Sequence, residues 1–275
     1  MLQYMYITND TELAKVIVQK GVKRIFIDWE VNGKQERQGH LDTVMSKHSH
    51  EDAVQMRKAV PKAELMIRLN PFYEGTAKEV EQAVDAGADL VMLPMFSTLE
   101  EVRALSDMVD GRVGIVPLFE TPAALKIVKD ITQLPSIHEI YVGLNDLHLA
   151  LGLDFMFEPL VLGMLDDVAL CAKEVGLRFG FGGIARADEG DVSGAMVLGE
   201  HLRLGSNSVI LSRTFYRAKE DKEDVGFVFQ REIEKLHAAA RRLSARSERE
   251  ELHDFAVFSQ AVMKVASAKR KKNIC

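Results

Sequence analysis

The chain has 275 residues, of which 47% are hydrophobic and 28% are charged, a composition typical of a globular protein rather than a disordered or low-complexity chain. Its 41 acidic residues outnumber its 35 basic residues and give a formal net charge of -6, which argues against a nucleic-acid-binding protein. No stretch approaches the roughly 18 apolar residues of a membrane span, and no secretion leader is evident. Cys171 and Cys275 suggest no disulfide framework. We therefore expect a cytoplasmic protein.

Short apolar segments rich in β-branched residues alternate along the chain with longer segments of helical spacing. In chain order, strands are predicted at residues 2–7, 24–28, 64–70, 90–93, 113–119, 139–142, 178–181 and 208–211. Helices are predicted between them, at residues 10–20, 50–59, 76–86, 98–109, 122–131, 159–175 and 188–204. Glycines that suit left-handed helix ends follow several of these helices, namely Gly21, Gly87, Gly111, Gly176 and Gly205. This rhythm predicts an α/β fold, a (β/α)8 TIM barrel with additional C-terminal helices, with the barrel domain at residues 1–215.

The pattern changes in the C-terminal extension, residues 216–275. Residues 227–269 carry no strand signal and have the spacing of one or two long amphipathic helices. Such helices can close their own barrel or pack on a neighbouring subunit. We expect them to pack on a neighbour and to form a homo-oligomer.

Charged and polar residues follow several predicted strands, at the barrel face where TIM-barrel enzymes hold their active sites. They are Asp28, Glu30, Arg68, Asn70, Glu120, Asn145, Asp146, Arg186, Ser212 and Arg213. Carboxylates from neighbouring strand ends, such as Glu120 and Asp146, are typical donors for a hard divalent cation. They are equally compatible with helix N-caps or rim salt bridges.

Arg68 suits a substrate carboxylate or enolate oxygen because its planar guanidinium donates two parallel hydrogen bonds. An ion pair with Asp28 or Glu30 explains it equally well. The glycines at 182 and 183 allow close approach of a ligand to the backbone, or simply a tight turn. His40, His48 and His50 crowd the segment after the second strand, where most histidines are only exposed.

Five segments resemble, in order, the motifs of the HpcH/HpaI aldolase and citrate lyase β-subunit family, which belongs to the phosphoenolpyruvate/pyruvate barrel superfamily. They are FIDWE (26–30), MIRLN (66–70), AGADLVMLPMFSTLEEV (86–102), IVPLFETPAAL (115–125) and YVGLNDLHLALGL (141–153). The resemblance covers residues 24–153 well and extends loosely to residue 213.

The resemblance implies that Glu120 and Asp146 hold Mg²⁺ or Mn²⁺ and that Arg68 contacts the enolate and carboxylate of a pyruvate-like group. It also implies that backbone amides near Asn145 receive the substrate carboxylate. We add Gly183 and Arg213 as candidate substrate-binding residues from their places at strand ends.

The chain departs from the family pattern at Val31, where HpaI-type aldolases have a catalytic histidine and the citrate lyase type has an acidic residue. The loop that many members insert before the fifth strand is also missing. The group that moves a proton to or from the substrate hydroxyl is therefore left open among His40, His48, His50 and Glu30.

These observations predict a divalent-metal-dependent carbon–carbon lyase of aldolase type that acts on a small 2-oxo or 2-hydroxy acid. One alternative is a citramalyl- or malyl-thioester lyase, or a phosphoenolpyruvate-handling enzyme that uses Arg186 and Arg213 for phosphate. A second alternative, suggested by Val31, is a barrel that has lost catalysis and serves as a binding protein.

Overall fold

A computed structural model describes residues 2–33, 48–217, 221 and 223–274. The described residues form eight parallel strands that close into a barrel in chain order. The strands are β1 (Gln3–Ile7), β2 (Arg24–Asp28), β3 (Glu64–Arg68), β4 (Leu90–Leu93), β5 (Gly114–Phe119), β6 (Glu139–Val142), β7 (Arg178–Ile184) and β8 (Ser208–Leu211). The predicted TIM barrel is confirmed.

Helices cover the outside of the barrel between successive strands. They are α1 (Thr11–Gln19), α2 (His50–Ala59), α3 (Thr76–Asp85), α4 (Leu99–Val109), α5 (Pro122–Lys126), α6 (Val128–Ile131), α7 (Leu144–Ala150), α8 (Glu158–Val161), α9 (Asp166–Glu174) and α10 (Gly194–Arg203). A short 3-10 turn, Arg213–Phe215, follows β8, and the extension forms α11 (Val225–Ser244) and α12 (Glu248–Ile274).

Three predicted helices differ from the observed ones. The helix predicted at 122–131 is interrupted at Ile127, and the one predicted at 159–175 is interrupted where Gly163 takes a left-handed conformation. The helix predicted to start at residue 188 begins only at Gly194, because Gly190 has φ of 106° and Ser193 is the N-cap. Backbone with positive φ cannot continue a right-handed helix.

The amino-terminal end of the barrel interior is filled by a buried charge network. Arg24 is fully buried and its Nη2 donates to Glu139 at 2.7 Å, while its Nε donates to Glu64. Apolar side chains pack in a layer inside the barrel: Met5, Phe26, Met66, Leu90, Met92, Val116, Leu118 and Tyr141. Because these side chains close the amino-terminal end of the barrel, the carboxyl ends of the strands form the open face.

The C-terminal helices pack on the barrel of their own chain. Helix α11 lies against α1 and α10, and α12 lies against α10 and α8. Phe229 of α11 meets the ring of Tyr6 edge-on at 5.3 Å, and Phe258 of α12 is buried near Phe157. Packing on a neighbouring subunit stays a prediction, as does the division of the chain into domains at residues 215 and 216. No described helix is long and apolar enough to cross a membrane.

Candidate active site

A cavity of about 270 Å³ opens at the carboxyl ends of the strands. It brings together eight residues that the sequence singled out: Arg68, Glu120, Asn145, Asp146, Gly182, Gly183, Ser212 and Arg213. These residues come from five different βα units, so only closure of the barrel makes them neighbours. The position of the cavity agrees with the rule that TIM-barrel sites lie at this face.

Glu120 lies directly after β5, and its carboxylate is close to the backbone of Met95 and of Gly143. Its side chain is buried, and the N–H of Met95 donates to its Oε2 at 3.3 Å. Met95 has φ of 55°, a strained conformation for a residue other than glycine. On the other side, a Cβ at Gly143 would lie 2.5 Å from Oε1 of Glu120. The carboxylate therefore depends on glycine at position 143.

Asp146 lies in the first turn of α7, which begins after Gly143. It is 6% exposed and lines the same cavity as Glu120. A carboxylate in the first turn is favoured by the helix dipole. The sequence pattern did not predict α7, because seven residues without a cap signal give little periodicity.

Arg68 makes the ion pairs that the alternative interpretation predicted and also lines the cavity. Its Nε and Nη2 donate to the two carboxylate oxygens of Asp28, both at 2.9 Å, and Nη2 lies 3.2 Å from Glu30. Burial opposes the charge, but the carboxylates of Asp28 and Glu30 outweigh it and raise the pKa of Arg68 above its ordinary value. Arg68 is therefore a fixed cation at the cavity wall, and Nη1 makes none of these contacts.

The three proposed proton-transfer residues that the structure describes, Glu30, His48 and His50, are not among the residues that line the cavity. Glu30 is buried beside Arg68, and His50 is exposed at the start of α2, with its ring 6.2 Å from Trp29. His48 is half-buried and its Nδ1 accepts a hydrogen bond from the N–H of Asp28 at 3.0 Å, which leaves the ring proton of neutral His48 on Nε2. His40 lies outside the described residues.

Val31, at the position where HpaI-type aldolases have their histidine, also lies outside the cavity. The residue is 56% exposed, and its N–H donates to Oδ1 of Asn70 at 2.9 Å. Asn70 in turn donates to Glu79 at 2.6 Å. Asn70, the polar residue predicted after β3, therefore binds the backbone of the segment that follows β2.

The two arginines considered for phosphate differ in their surroundings. Arg186 is buried and donates to the carbonyl oxygen of Phe215 and to Asp221, the latter at 2.6 Å, and it does not belong to the cavity lining. Arg213 is exposed at the cavity mouth. Tyr6 lines the same cavity, and burial raises its pKa to about 12 although the positive charge of Arg213 acts in the opposite direction.

The sequence did not single out the apolar and aromatic part of the lining. This part comprises Tyr6, Ile7, Phe26, Met92, Leu118, Tyr141, Leu144, Met156, Ile210 and Leu211. Most of these residues lie in or next to predicted strands, where an apolar residue is expected whether or not it faces a cavity. Met156 comes from a segment after α7 and carries no local signal of a site.

The residues present fit a hard divalent cation with few protein ligands. Glu120 and Asp146 supply carboxylate oxygens to one cavity, and Gly143 leaves room for the first of them. In residues 2–33, 48–217, 221 and 223–274, no group of three or more His, Cys, Asp or Glu forms a cation cage. Mg²⁺ is usually held by only one or two carboxylates together with waters and substrate oxygens, so two donors are sufficient.

A family model for HpcH/HpaI aldolase/citrate lyase matches residues 45–192, more than half of the chain. The chain belongs to the HpcH/HpaI aldolase/citrate lyase family. The family resemblance seen in the sequence motifs is thereby confirmed, and it supports lyase activity of the aldolase or citrate lyase type. No curated protein matches the chain.

Several solved structures share the fold at low sequence identity. An HpcH/HpaI aldolase from Desulfitobacterium hafniense DCB-2 matches with a TM-score of 0.60 and 13% identity, over 90% of this chain and 94% of that one. An HpcH/HpaI aldolase/citrate lyase family protein from Burkholderia cenocepacia J2315 matches with a TM-score of 0.56 and 16% identity, over 86% and 94%. RipC from Yersinia pestis matches with a TM-score of 0.56 and 14% identity, over 91% and 98%. At these identities the matches establish the fold alone.

Proposed function

We propose that this protein is a divalent-metal-dependent carbon–carbon lyase of aldolase type, which cleaves or forms a bond next to a small 2-oxo acid. The observation that carries the proposal is that Glu120, Asp146 and Arg68 line one cavity at the active-site face of the barrel. Family membership supports the same class of reaction.

In the cleavage direction, the substrate is a 4-hydroxy-2-oxo acid. Its hydroxyl loses a proton, the bond between C3 and C4 breaks, and the electron pair stays on the three-carbon half as an enolate. The other half leaves as an aldehyde, and the enolate takes up a proton at C3 to give pyruvate. The enzyme must therefore stabilise negative charge on the keto oxygen and move two protons.

Glu120 and Asp146 would hold Mg²⁺ or Mn²⁺ in this cavity. Bound there, the cation would supply Lewis-acid stabilisation of the developing enolate charge. The buried setting of both carboxylates strengthens such electrostatic interactions relative to water.

Arg68 would orient the 2-oxo acid by donating to its carboxylate and keto oxygens. Because Asp28 and Glu30 hold the guanidinium in place, little rearrangement is needed when the ligand binds, which is how preorganised donors contribute to catalysis. The backbone amide of Asn145, which lines the same cavity, would receive the substrate carboxylate, as the family resemblance of its motif implies.

The apolar residues around the cavity would exclude water from the enolate. Phe26, Met92 and Leu118 line the cavity and are buried. Exclusion of water both strengthens the interactions with Arg68 and prevents premature protonation of the intermediate.

The test compares Glu120→Gln with the wild-type protein in Mn²⁺ binding and in release of pyruvate from 4-hydroxy-2-oxo acids. We expect Mn²⁺ affinity to fall about tenfold or more, and turnover to fall by a factor on the order of 10² to 10³. Glu81→Gln is the matched control, since Glu81 lies on the surface in an ion pair with Arg112. Unchanged Mn²⁺ affinity and turnover in Glu120→Gln would overturn the proposal.

The same assay separates the alternative functions. Turnover of citramalyl- or malyl-CoA but not of free oxo acids would identify a thioester lyase, and turnover of phosphoenolpyruvate would identify a phosphate-handling enzyme. Metal-dependent binding of oxalate, an enolate mimic, without turnover of any of these compounds would instead favour a binding protein.

A further inference from the structure

The hydroxyl of Tyr141 joins three neighbouring strands below the cavity. Tyr141 lies on β6, donates its hydroxyl proton to the carbonyl oxygen of Gly182 on β7 at 2.7 Å, and accepts from the N–H of Ile210 on β8 at 3.1 Å. The side chain is almost fully buried, and its residue contributes to the cavity lining. One oxygen atom therefore connects the backbones of β7 and β8 from a third strand.

These two hydrogen bonds lie at an irregularity in the barrel. Gly180 pairs with Ser208 and Gly183 pairs with Ile210, so three steps along β7 correspond to two steps along β8. The extra residue forms a β-bulge, which interrupts the backbone ladder and re-aims the bulged strand. Both backbone groups bound by Tyr141 belong to this interrupted stretch.

The glycines of β7 make room for this arrangement. A Cβ at Gly180 would lie 2.5 Å from the ring of Tyr141, and Gly182 has φ of 50° with Leu144 only 2.8 Å from an added Cβ. Gly183 has no such restriction, since among the described residues an added Cβ would meet only the carbonyl oxygen of Ile210, at 3.5 Å. Gly182 and Gly183 both line the cavity.

We propose that the backbone of Gly182 and Gly183 is a ligand-contacting wall of the active site, and that Tyr141 is the positioning residue that holds this wall through its hydroxyl. The inference rests on the proposed function, because the ligand is the oxo acid of that reaction. It assigns a role to the bulge in β7 and excludes Tyr141 as the acid or base of the reaction.

Two observations separate positioning from proton transfer. The hydroxyl proton of Tyr141 is already donated to Gly182, and its oxygen already accepts from Ile210. Burial also raises the pKa of Tyr141 far above its ordinary value. The one proton of this hydroxyl is directed at the carbonyl oxygen of Gly182 rather than at a ligand in the cavity, which suits a positioning role.

The first test is Tyr141→Phe, which keeps the ring and removes the oxygen. We expect the affinity for oxalate, measured by calorimetry with saturating Mn²⁺, to fall about tenfold, since the wall loses two hydrogen bonds. In turnover, KM for the oxo acid should rise more than kcat falls, and the pH profile of kcat should keep its shape. Tyr4→Phe is the matched control, because Tyr4 is a buried tyrosine of β1 whose ring lies against His237 outside the cavity.

The second test, Gly183→Ala, does not depend on the stability of Tyr141→Phe. Its methyl group fits the backbone without strain, and because Gly183 lines the cavity we expect it to occupy ligand space. Oxalate affinity should fall about tenfold while the melting temperature stays close to that of the wild-type protein.

Each result decides the matter. If wild-type protein shows no metal-dependent oxalate binding, the proposed function fails and the wall fails with it. If wild-type protein binds oxalate and Gly183→Ala binds it equally well, the wall is excluded while the proposed function stands. Loss of one limb of the pH profile in Tyr141→Phe with unchanged oxalate affinity would make Tyr141 a proton donor and overturn its positioning role.

Discussion

The carboxylate of Glu120 occupies the space next to Gly143 that a side chain at position 143 would need. The Cβ of an alanine at 143 would be 2.5 Å from both Cγ and Oε1 of Glu120. Gly143 has φ of -87°, which an alanine adopts without strain. The absence of a side chain at this position therefore serves the placement of Glu120 rather than the backbone conformation.

Gly143→Ala should displace the Glu120 carboxylate without unfolding the protein, because the end of a flexible side chain can move. We expect Mn²⁺ affinity to fall about tenfold or more, equivalent to about 1.4 kcal/mol, with a melting temperature near that of the wild-type protein. Gly199→Ala in helix α10 is the control, since its Cβ would meet only the end of Arg246, at 3.4 Å, among the described residues. Mn²⁺ affinity that is equal in the two variants would contradict this account of Gly143.

Arg68→Met should destabilise the protein. The change removes the guanidinium that Asp28 and Glu30, each about 1% exposed, share. Removing one partner of a buried ion pair costs about 3–5 kcal/mol.

Urea unfolding at pH 7 measures this effect. The double variant Asp28→Asn with Arg68→Met should recover part of the lost stability, since one of the two buried charges is then absent. A double variant no more stable than Arg68→Met would show that lost packing, rather than the lost ion pair, dominates.

His201 should make the protein less stable in mild acid. Its ring is fully buried and stacks on Phe181 at 3.8 Å, and Nδ1 lies 2.8 Å from Oγ of Ser206. Burial lowers the pKa of His201 to about 3, whereas a histidine in the unfolded chain has a pKa of about 6.5. Below about pH 6.5 the unfolded state therefore binds a proton that the folded state does not bind. The free energy of unfolding consequently decreases as the pH is lowered.

His201→Phe removes this contribution while it keeps an aromatic ring against Phe181. Between pH 7 and pH 5, the free energy of unfolding of the variant should improve relative to wild type by about 2 kcal/mol. Urea unfolding across this range provides the measurement, and His253→Phe on the exposed side of α12 is the control. The idea fails if the difference in stability between His201→Phe and wild type does not change with pH.

Helix α12 has an apolar stripe that its own chain leaves exposed. Leu252 and Met263 are 65% and 44% exposed, and their spacing of eleven residues places them on the same side of the helix, with Ala256 between them. We propose that this stripe packs on a neighbouring subunit. Leu252→Lys with Met263→Lys should then shift sedimentation toward the monomer, whereas Lys264→Glu, a charge change on the same helix, should not.

Local patterns were sufficient to predict the barrel. The bounds predicted for β2, β4, β6 and β8 agree with those observed, because short apolar segments bounded by turns are recognised within a few residues. The five glycines predicted to end helices all have positive φ. The helix predicted at 98–109, however, begins at Leu99 with Thr98 as its N-cap, a shift of one residue that propensity cannot resolve.

The sequence by itself determined the barrel, its open face and the polar residues at the strand ends, since each of these follows from the order and period of neighbouring residues. The tertiary structure decided which of those residues share a cavity. It decided that Arg68 pairs with Asp28 and Glu30 while it lines that cavity, that Gly143 makes room for Glu120, and that Tyr141 bonds to β7 and β8. The physical reason is that these contacts join residues 23 to 69 positions apart, and only closure of the barrel brings such distant backbone and side-chain groups within reach of each other.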